Sequence, residues 1–114
     1  MSADNTDESV PEMVRYFVGF IKKGSNWSGE VTPAAEKTQA AHRANIKRLE
    51  GEGKMVLTGP FEEDGELRGL FFYVAESMEE AQVLVDTDPA VIAGQLTVEL
   101  HAWWGTAKLM DILQ

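Results

Sequence analysis

The chain has 114 residues, 44% of them hydrophobic and 25% charged, with 10 basic against 19 acidic side chains and a net charge of −9. It contains no cysteine, which excludes disulfides, cysteine-ligated zinc, iron–sulfur clusters and thiol nucleophiles. An acidic chain without a basic block is a poor match for nucleic acid or an anionic membrane surface, and no apolar run approaches the ~18 residues that mark a membrane-spanning helix.

The length suits one domain. Met1 to Glu12 carries Asp4, Asp7, Glu8 and Glu12 and no basic residue. It has little to bury and reads as a disordered acidic tail over residues 1–12. It also lacks the basic and apolar stretches of a secretory signal, so a cytoplasmic location is the expectation. The folded domain is expected over 13–105. The appendix 106–114, with Leu109, Met110, Ile112 and Leu113, is expected to form a small helix that docks on the domain or on a partner subunit.

Val14 to Ile21 is β-branched and aromatic, nearly continuous in its apolar character, and predicts a strand buried on both faces. A loop from Gly24 to Val31 follows and contains Trp27. Thr32-Pro33 then opens a helix, with Thr as cap and Pro at the first helical position. That helix is expected to run to Gly51 or Gly53. Ala35, Thr38, His42, Ile46 and Leu49 fall on one stripe, spaced by three and four residues. Lys37, Arg43, Lys47 and Arg48 lie mostly on the other side, as a solvated face.

Met55 to Thr58 predicts a second strand closed by Gly59-Pro60, and Gly69 to Val74 a third, with a turn at Glu62 to Glu66. The two strands form a hairpin. Ser77 and Glu80 form a capping box for a helix that buries Ala81, Leu84 and Val85. Asp88-Pro89 starts a further short helical turn that Gly94 ends. The last strand is Gln95 to Trp104. Its period-two alternation places Leu96, Val98, Leu100 and Ala102 on one face and Thr97, Glu99, His101 and Trp103 on the other.

The order βαββαβ, with two right-handed crossovers, predicts an α+β, ferredoxin-like domain. Its four-stranded antiparallel sheet carries both main helices on one face. Trp103 and the aromatic content of the first and third strands argue that the other face is partly covered. Two sheets packed by these faces would make a homodimer with a semi-polar interior, and that is the expectation.

These residues resemble the YCII-related domain family from about Tyr16 to Trp104. The motif elements are His42, Leu49 and Gly53, Gly59-Pro60, Gly69, Glu80-Ala81 and Asp88-Pro89 ahead of Gly94. The resemblance implies a dimeric α+β barrel and an active site built on a His–Asp pair, which here is His42 and Asp88. One branch of the family is similar to dehydrochlorinases of chlorinated hydroquinones, and related barrels include muconolactone isomerases. A shared fold does not by itself fix chemistry.

His42 suits a general base or acid near neutral pH. The alternative is a core histidine bonded to a backbone carbonyl. Asp88 is explained as a helix cap, and a carboxylate that caps can also orient an imidazole. Asp86 competes for that role but lacks the following Pro.

Glu99 and His101 point the same way and serve either a ligand or an interface. A metal set of His42, His101 and Glu99 or Asp88 has no short ligand spacing behind it, so no metal or cofactor is expected. Arg15, inside the first strand, fits a structural ion pair or a contact to an anionic substrate. Trp27 is either a lid over a pocket or a plug for the sheet edge. Trp103 and Trp104 suit packing.

The chain has no Gly-x-Ser-x-Gly, Gly-x-Gly-x-x-Gly or P-loop, so a serine nucleophile elbow, dinucleotide use and triphosphate use are unsupported. The leading expectation is a cofactor-independent lyase or isomerase acting on a small molecule, with His42 and Asp88 catalytic and Arg15, Glu99, His101 and Trp27 as further ligand contacts. The alternatives are a non-catalytic ligand-binding or accessory domain and a purely structural interaction domain.

Overall fold

The computed structural model describes residues 12–113. All of the expected acidic tail except Glu12 lies outside them. Glu12 itself is tied to the fold, because its carbonyl accepts the Ala107 N–H at 2.8 Å. The elements follow the expected order: β1 (Met13–Lys23), α1 (Pro33–Gly51), β2 (Met55–Pro60), β3 (Leu67–Tyr73), α2 (Met78–Val85), α3 (Pro89–Ile92) and β4 (Leu96–Thr106), then a 3-10 helix (Ala107–Leu113). The sheet order is β2-β3-β1-β4, with every neighbouring pair antiparallel. Among the described residues no helix is long and apolar enough to cross a membrane.

Local chemistry sets the helix ends. Thr32 Oγ1 accepts the Ala35 N–H at 3.0 Å, with Pro33 in the first turn. α1 ends where Gly53 adopts φ +74°. There the Lys54 N–H reaches the Leu49 carbonyl and the Gly53 N–H that of Glu50, the Schellman arrangement that favours glycine. α3 ends the same way at Gly94, φ +76°. The capping box of α2 differs from expectation in one contact. Ser77 Oγ accepts the Glu80 N–H, but the Glu80 carboxylate reaches back to the N–H of Glu76 and not to that of Ser77.

The core lies between the helices and one face of the sheet and holds Phe17, Ile21, Leu49, Met55, Phe71, Tyr73, Ala81, Leu84 and Val85. Burying a large apolar side chain contributes about 1.5–3 kcal/mol. α1 gains this mainly at its C-terminal end, where Leu49 is its one fully buried residue. Ala35, Thr38, His42 and Ile46 on the same stripe are only half-buried. The first half of α1 therefore does not seal against the sheet.

The opposite face is covered at one end. Tyr16 is fully buried, and its hydroxyl donates to the Thr106 carbonyl at 2.7 Å. The C-terminal 3-10 helix packs against β2 of its own chain and brings Asp111 near Tyr16. Burial pushes the Tyr16 phenol above its ordinary pKa, and the Asp111 charge adds to that.

Candidate functional site

His42 and Asp88 come from elements 46 residues apart and meet at the edge of the core. The His42 Nδ1 lies 2.9 Å from Asp88 Oδ1 and 2.8 Å from Oδ2. A buried carboxylate is only an acceptor, so Nδ1 carries the proton and donates to both oxygens. Asp88 is 1% exposed, and its Oδ1 also accepts the Ala90 N–H at 2.9 Å, capping α3. The cap and the orienting carboxylate are thus one group. An unpaired buried carboxylate is costly, and these two donors compensate it. Asp86 takes no part, because it ends α2 and accepts from Gln82 Nε2 at the surface.

With Nδ1 engaged on Asp88, Nε2 is the nitrogen left for a ligand. The His42 ring lines a cleft of about 780 Å³ between α1 and the sheet, within the range of small-molecule sites. Ile21 and Phe71 form its floor, Gln39 and Ile46 share the α1 wall with His42, and the segment Trp27 to Val31 forms the rim. That rim is anchored at its base. The Gly24 N–H donates to the Gln95 carbonyl and the Asn26 N–H to that of Gly94, while Asn26 Nδ2 donates to Ala93 O. A Cβ at Gly94 would stand 2.7 Å from Asn26 Nδ2, so this anchor needs glycine twice over, for φ and for space.

Trp27 is a wall of this cleft. The Arg68 guanidinium lies 4.8 Å from its ring centroid and Lys23 Nζ 5.6 Å. Arg68 is fixed in turn by Asp64 Oδ1 at 3.0 Å and the Gly65 carbonyl at 3.1 Å. The sequence reading missed Arg68 and Gln39. Gln39 stands three residues before His42, on the same helix face, and that spacing was available to find it. Arg43, assigned to the solvated face, also borders the cleft.

The remaining candidates lie elsewhere. Glu99 and His101 occupy the opposite face of the sheet, where His101 Nε2 is 2.6 Å from Glu99 Oε2 and Lys22 pairs with the same carboxylate. Hydrogen bonds from Lys22 and then His101, with the Lys22 charge, hold the Glu99 carboxyl below its ordinary pKa. They border a second concavity of about 730 Å³, walled by Val18, Phe20, Leu70, Phe72 and Trp103. His42 and His101 are therefore on different faces, and no group of three His, Asp or Glu side chains among the described residues is placed to hold a metal.

The reading of Arg15 as the buried half of an ion pair is corrected. Arg15 is exposed, donates to the Glu76 carbonyl at 2.8 Å and lies 5.2 Å from the Phe17 ring centroid. The apolar run of β1 did not reveal that its first residues project beyond the helices.

The buried Tyr73 lies in the field of the site. Burial pushes its phenol far above the ordinary value, and the charges of Asp88 and Asp86 add to this, so it stays protonated at neutral pH.

The sequence model of the YCII-related domain family matches residues 9–103. Comparison with curated proteins found no match. Among solved structures, the chain is similar to 5-chloro-2-hydroxyhydroquinone dehydrochlorinase from Burkholderia phenoliruptrix AC1100, in complex with 2,5-dihydroxybenzoquinone. The identity is 20% and the TM-score 0.56, over 79% of this chain and 93% of that one; the likeness is one of fold. The ferredoxin-like order, the buried His42–Asp88 pair and a family match over most of the sequence lead to one assignment: this chain belongs to the YCII-related domain family.

Proposed function

We propose that this protein is a cofactor-independent lyase or isomerase that moves a proton on a small cyclic or carbonyl-bearing molecule in the His42 cleft. One observation carries the reading: His42 Nδ1 is held by both oxygens of buried Asp88 while its ring borders an open cleft. In this arrangement Nε2 carries the lone pair, takes a proton from substrate carbon or hydroxyl, and becomes an imidazolium stabilised by Asp88. In an isomerisation the proton returns at another carbon. In a dehydrochlorination the electron pair of the broken bond expels chloride and forms a double bond. A hydroxylated six-membered ring, the class bound by the similar dehydrochlorinase, suits the apolar floor of Ile21 and Phe71 and the wall of Trp27. Arg15 is remote in contact from this cleft, and Glu99 and His101 serve the other face, so Trp27 remains the one secondary ligand contact of this proposal.

The open sheet face suits a second copy of the chain. It presents Phe20, Phe72 and Trp103 around the Lys22–Glu99–His101 cluster, and Trp103 is 43% exposed. Sedimentation equilibrium gives a dimer on this reading, and Trp103→Lys gives a monomer.

The catalytic reading is tested with chlorinated and hydroxylated hydroquinones and quinones in deuterated water, following chloride release and deuterium entry by mass spectrometry. Turnover that is lost in His42→Gln supports it. Equal rates in that variant overturn it. Binding of the panel without any proton exchange favours the alternative, a ligand-binding domain using the same cleft.

A further inference from the structure

The His42–Asp88 contact has a neighbour one helical turn along α1. Asn45 Nδ2 donates to Thr87 Oγ1 at 3.2 Å, and the Thr87 hydroxyl donates onward to the Leu84 carbonyl at 2.6 Å. The direction of the amide is fixed from its other side. Arg48 Nη2 donates to Asn45 Oδ1 at 2.8 Å, and a guanidinium can only donate. The amide NH₂ must therefore face Thr87. Arg48 is itself placed by Glu52, whose carboxylate oxygens lie 3.2 and 3.3 Å from Nη1. The result is a continuous chain of donors and acceptors: Arg48 to Glu52, Arg48 to Asn45, Asn45 to Thr87, Thr87 to Leu84.

Thr87 immediately precedes Asp88. The connection between α2 and α3 is thus fastened to α1 at two adjacent points, Asn45–Thr87 and His42–Asp88. Residues three apart on a helix share a face, so one rigid element sets both contacts. Within the connection itself the backbone N–H groups of Thr87 and Asp88 return to Leu84 and Val85, which holds it to the end of α2 but not to α1. Among the described residues, the Asn45–Thr87 bond is the one hydrogen bond besides the imidazole–carboxylate contact that joins this connection to α1; α3 otherwise rests on α1 by packing.

We infer that Asn45 and Thr87 are positioning residues for the His42–Asp88 pair: the bond between them fixes the Asp88 carboxylate relative to α1 and so keeps His42 in the tautomer with Nε2 open to the cleft. The inference rests on the pair being the working site, but its test reads the geometry of the pair directly and does not use turnover.

Histidine labelled with ¹⁵N is introduced into the full chain, and the His42 tautomer and the exchange of its Nδ1 proton with water are measured by NMR. The variants are Thr87→Val, Thr87→Ser and Asn45→Ala. Arg48→Ala is added because its side chain is half-exposed and its removal spares the interior. Loss of one bond in a shared network shifts local equilibria by about tenfold. Nδ1 exchange is expected to rise by that order in Thr87→Val and Asn45→Ala, less in Arg48→Ala, and to return to the wild-type rate in Thr87→Ser. The His101 signals stay unchanged and serve as the control for general loosening. Wild-type exchange and tautomer in Arg48→Ala and in whichever of Thr87→Val and Asn45→Ala folds overturn the inference and leave the proposed function standing. A wild-type His42 that lacks a protected Nδ1 proton overturns both.

Discussion

Among the described residues there are two histidine–carboxylate contacts, on opposite faces of one sheet, and they differ in almost everything but the kinds of group paired. His42 and Asp88 are 12% and 2% exposed at their side chains, whereas His101 and Glu99 are 54% and 49% exposed. Asp88 is held by a backbone N–H as well as by the imidazole, while Glu99 is shared with the ammonium of a partly exposed lysine, Lys22. The bond to His42 enters at Nδ1, and that to His101 at Nε2. The first pair thus leaves Nε2 for a ligand, on a ring that lines a cleft. The second spends Nε2 on its partner in a setting where water and salt screen the charges. Burial and a fixed backbone donor, not the pairing of residue types, separate a candidate catalytic group from a surface contact.

The largest expected effect tests that separation through chemistry. On any substrate the protein turns over, His42→Gln is expected to lower the rate by about 10²–10⁴-fold, the usual worth of a positioned acid or base. His101→Gln changes it little, and steady-state kinetics on both variants measure the contrast. Next comes stability. Asp88→Ala removes the cap of α3 and leaves the His42 and Ala90 N–H groups without an acceptor, a loss of about 2–4 kcal/mol in urea unfolding. Glu99→Ala is expected to leave the unfolding midpoint nearly unmoved.

A smaller effect follows at the rim of the cleft. Gly94→Ala places a side chain in a left-handed conformation against Asn26 and is expected to cost about 1–2 kcal/mol. It also releases the base of the Trp27 segment, which tryptophan fluorescence reports. The smallest effect concerns acid. The Glu99 pKa is lowered in the folded state, so its stabilisation is present above the ordinary glutamate value and fades as the pH falls through the lower folded value. Glu99→Gln therefore flattens the acid limb of the stability profile slightly, and thermal melts across that limb detect it.

Much of this was legible in the sequence, for stated reasons. The cap at Asp88 could be read because Asp-Pro is a local signal, and His42 stood out because it interrupts an apolar stripe. The shared face of Glu99 and His101 followed from period two. What the sequence did not disclose depends on where elements stop. Arg15 lies in an apolar run but past the cover of the helices. The cleft exists because only the far end of α1, at Leu49, closes on the sheet. Arg68 and the Asn45–Thr87 bond join segments far apart in the chain, and no local pattern announces such partners. The C-terminal 3-10 helix was expected to dock on the domain or on a partner subunit, and it packs on β2 of its own chain.

The most direct test of the central claim is the tautomer of each histidine, read from ¹⁵N shifts in the wild-type protein and in Asp88→Asn. Opposite tautomers are expected: Nδ1–H for His42, held by Asp88, and Nε2–H for His101, facing Glu99. The Nδ1–H preference of His42 then weakens in Asp88→Asn while His101 is unaffected. A His42 that carries its proton on Nε2 in the wild type, or one indifferent to Asp88→Asn, would contradict the account and reduce Asp88 to the cap of α3.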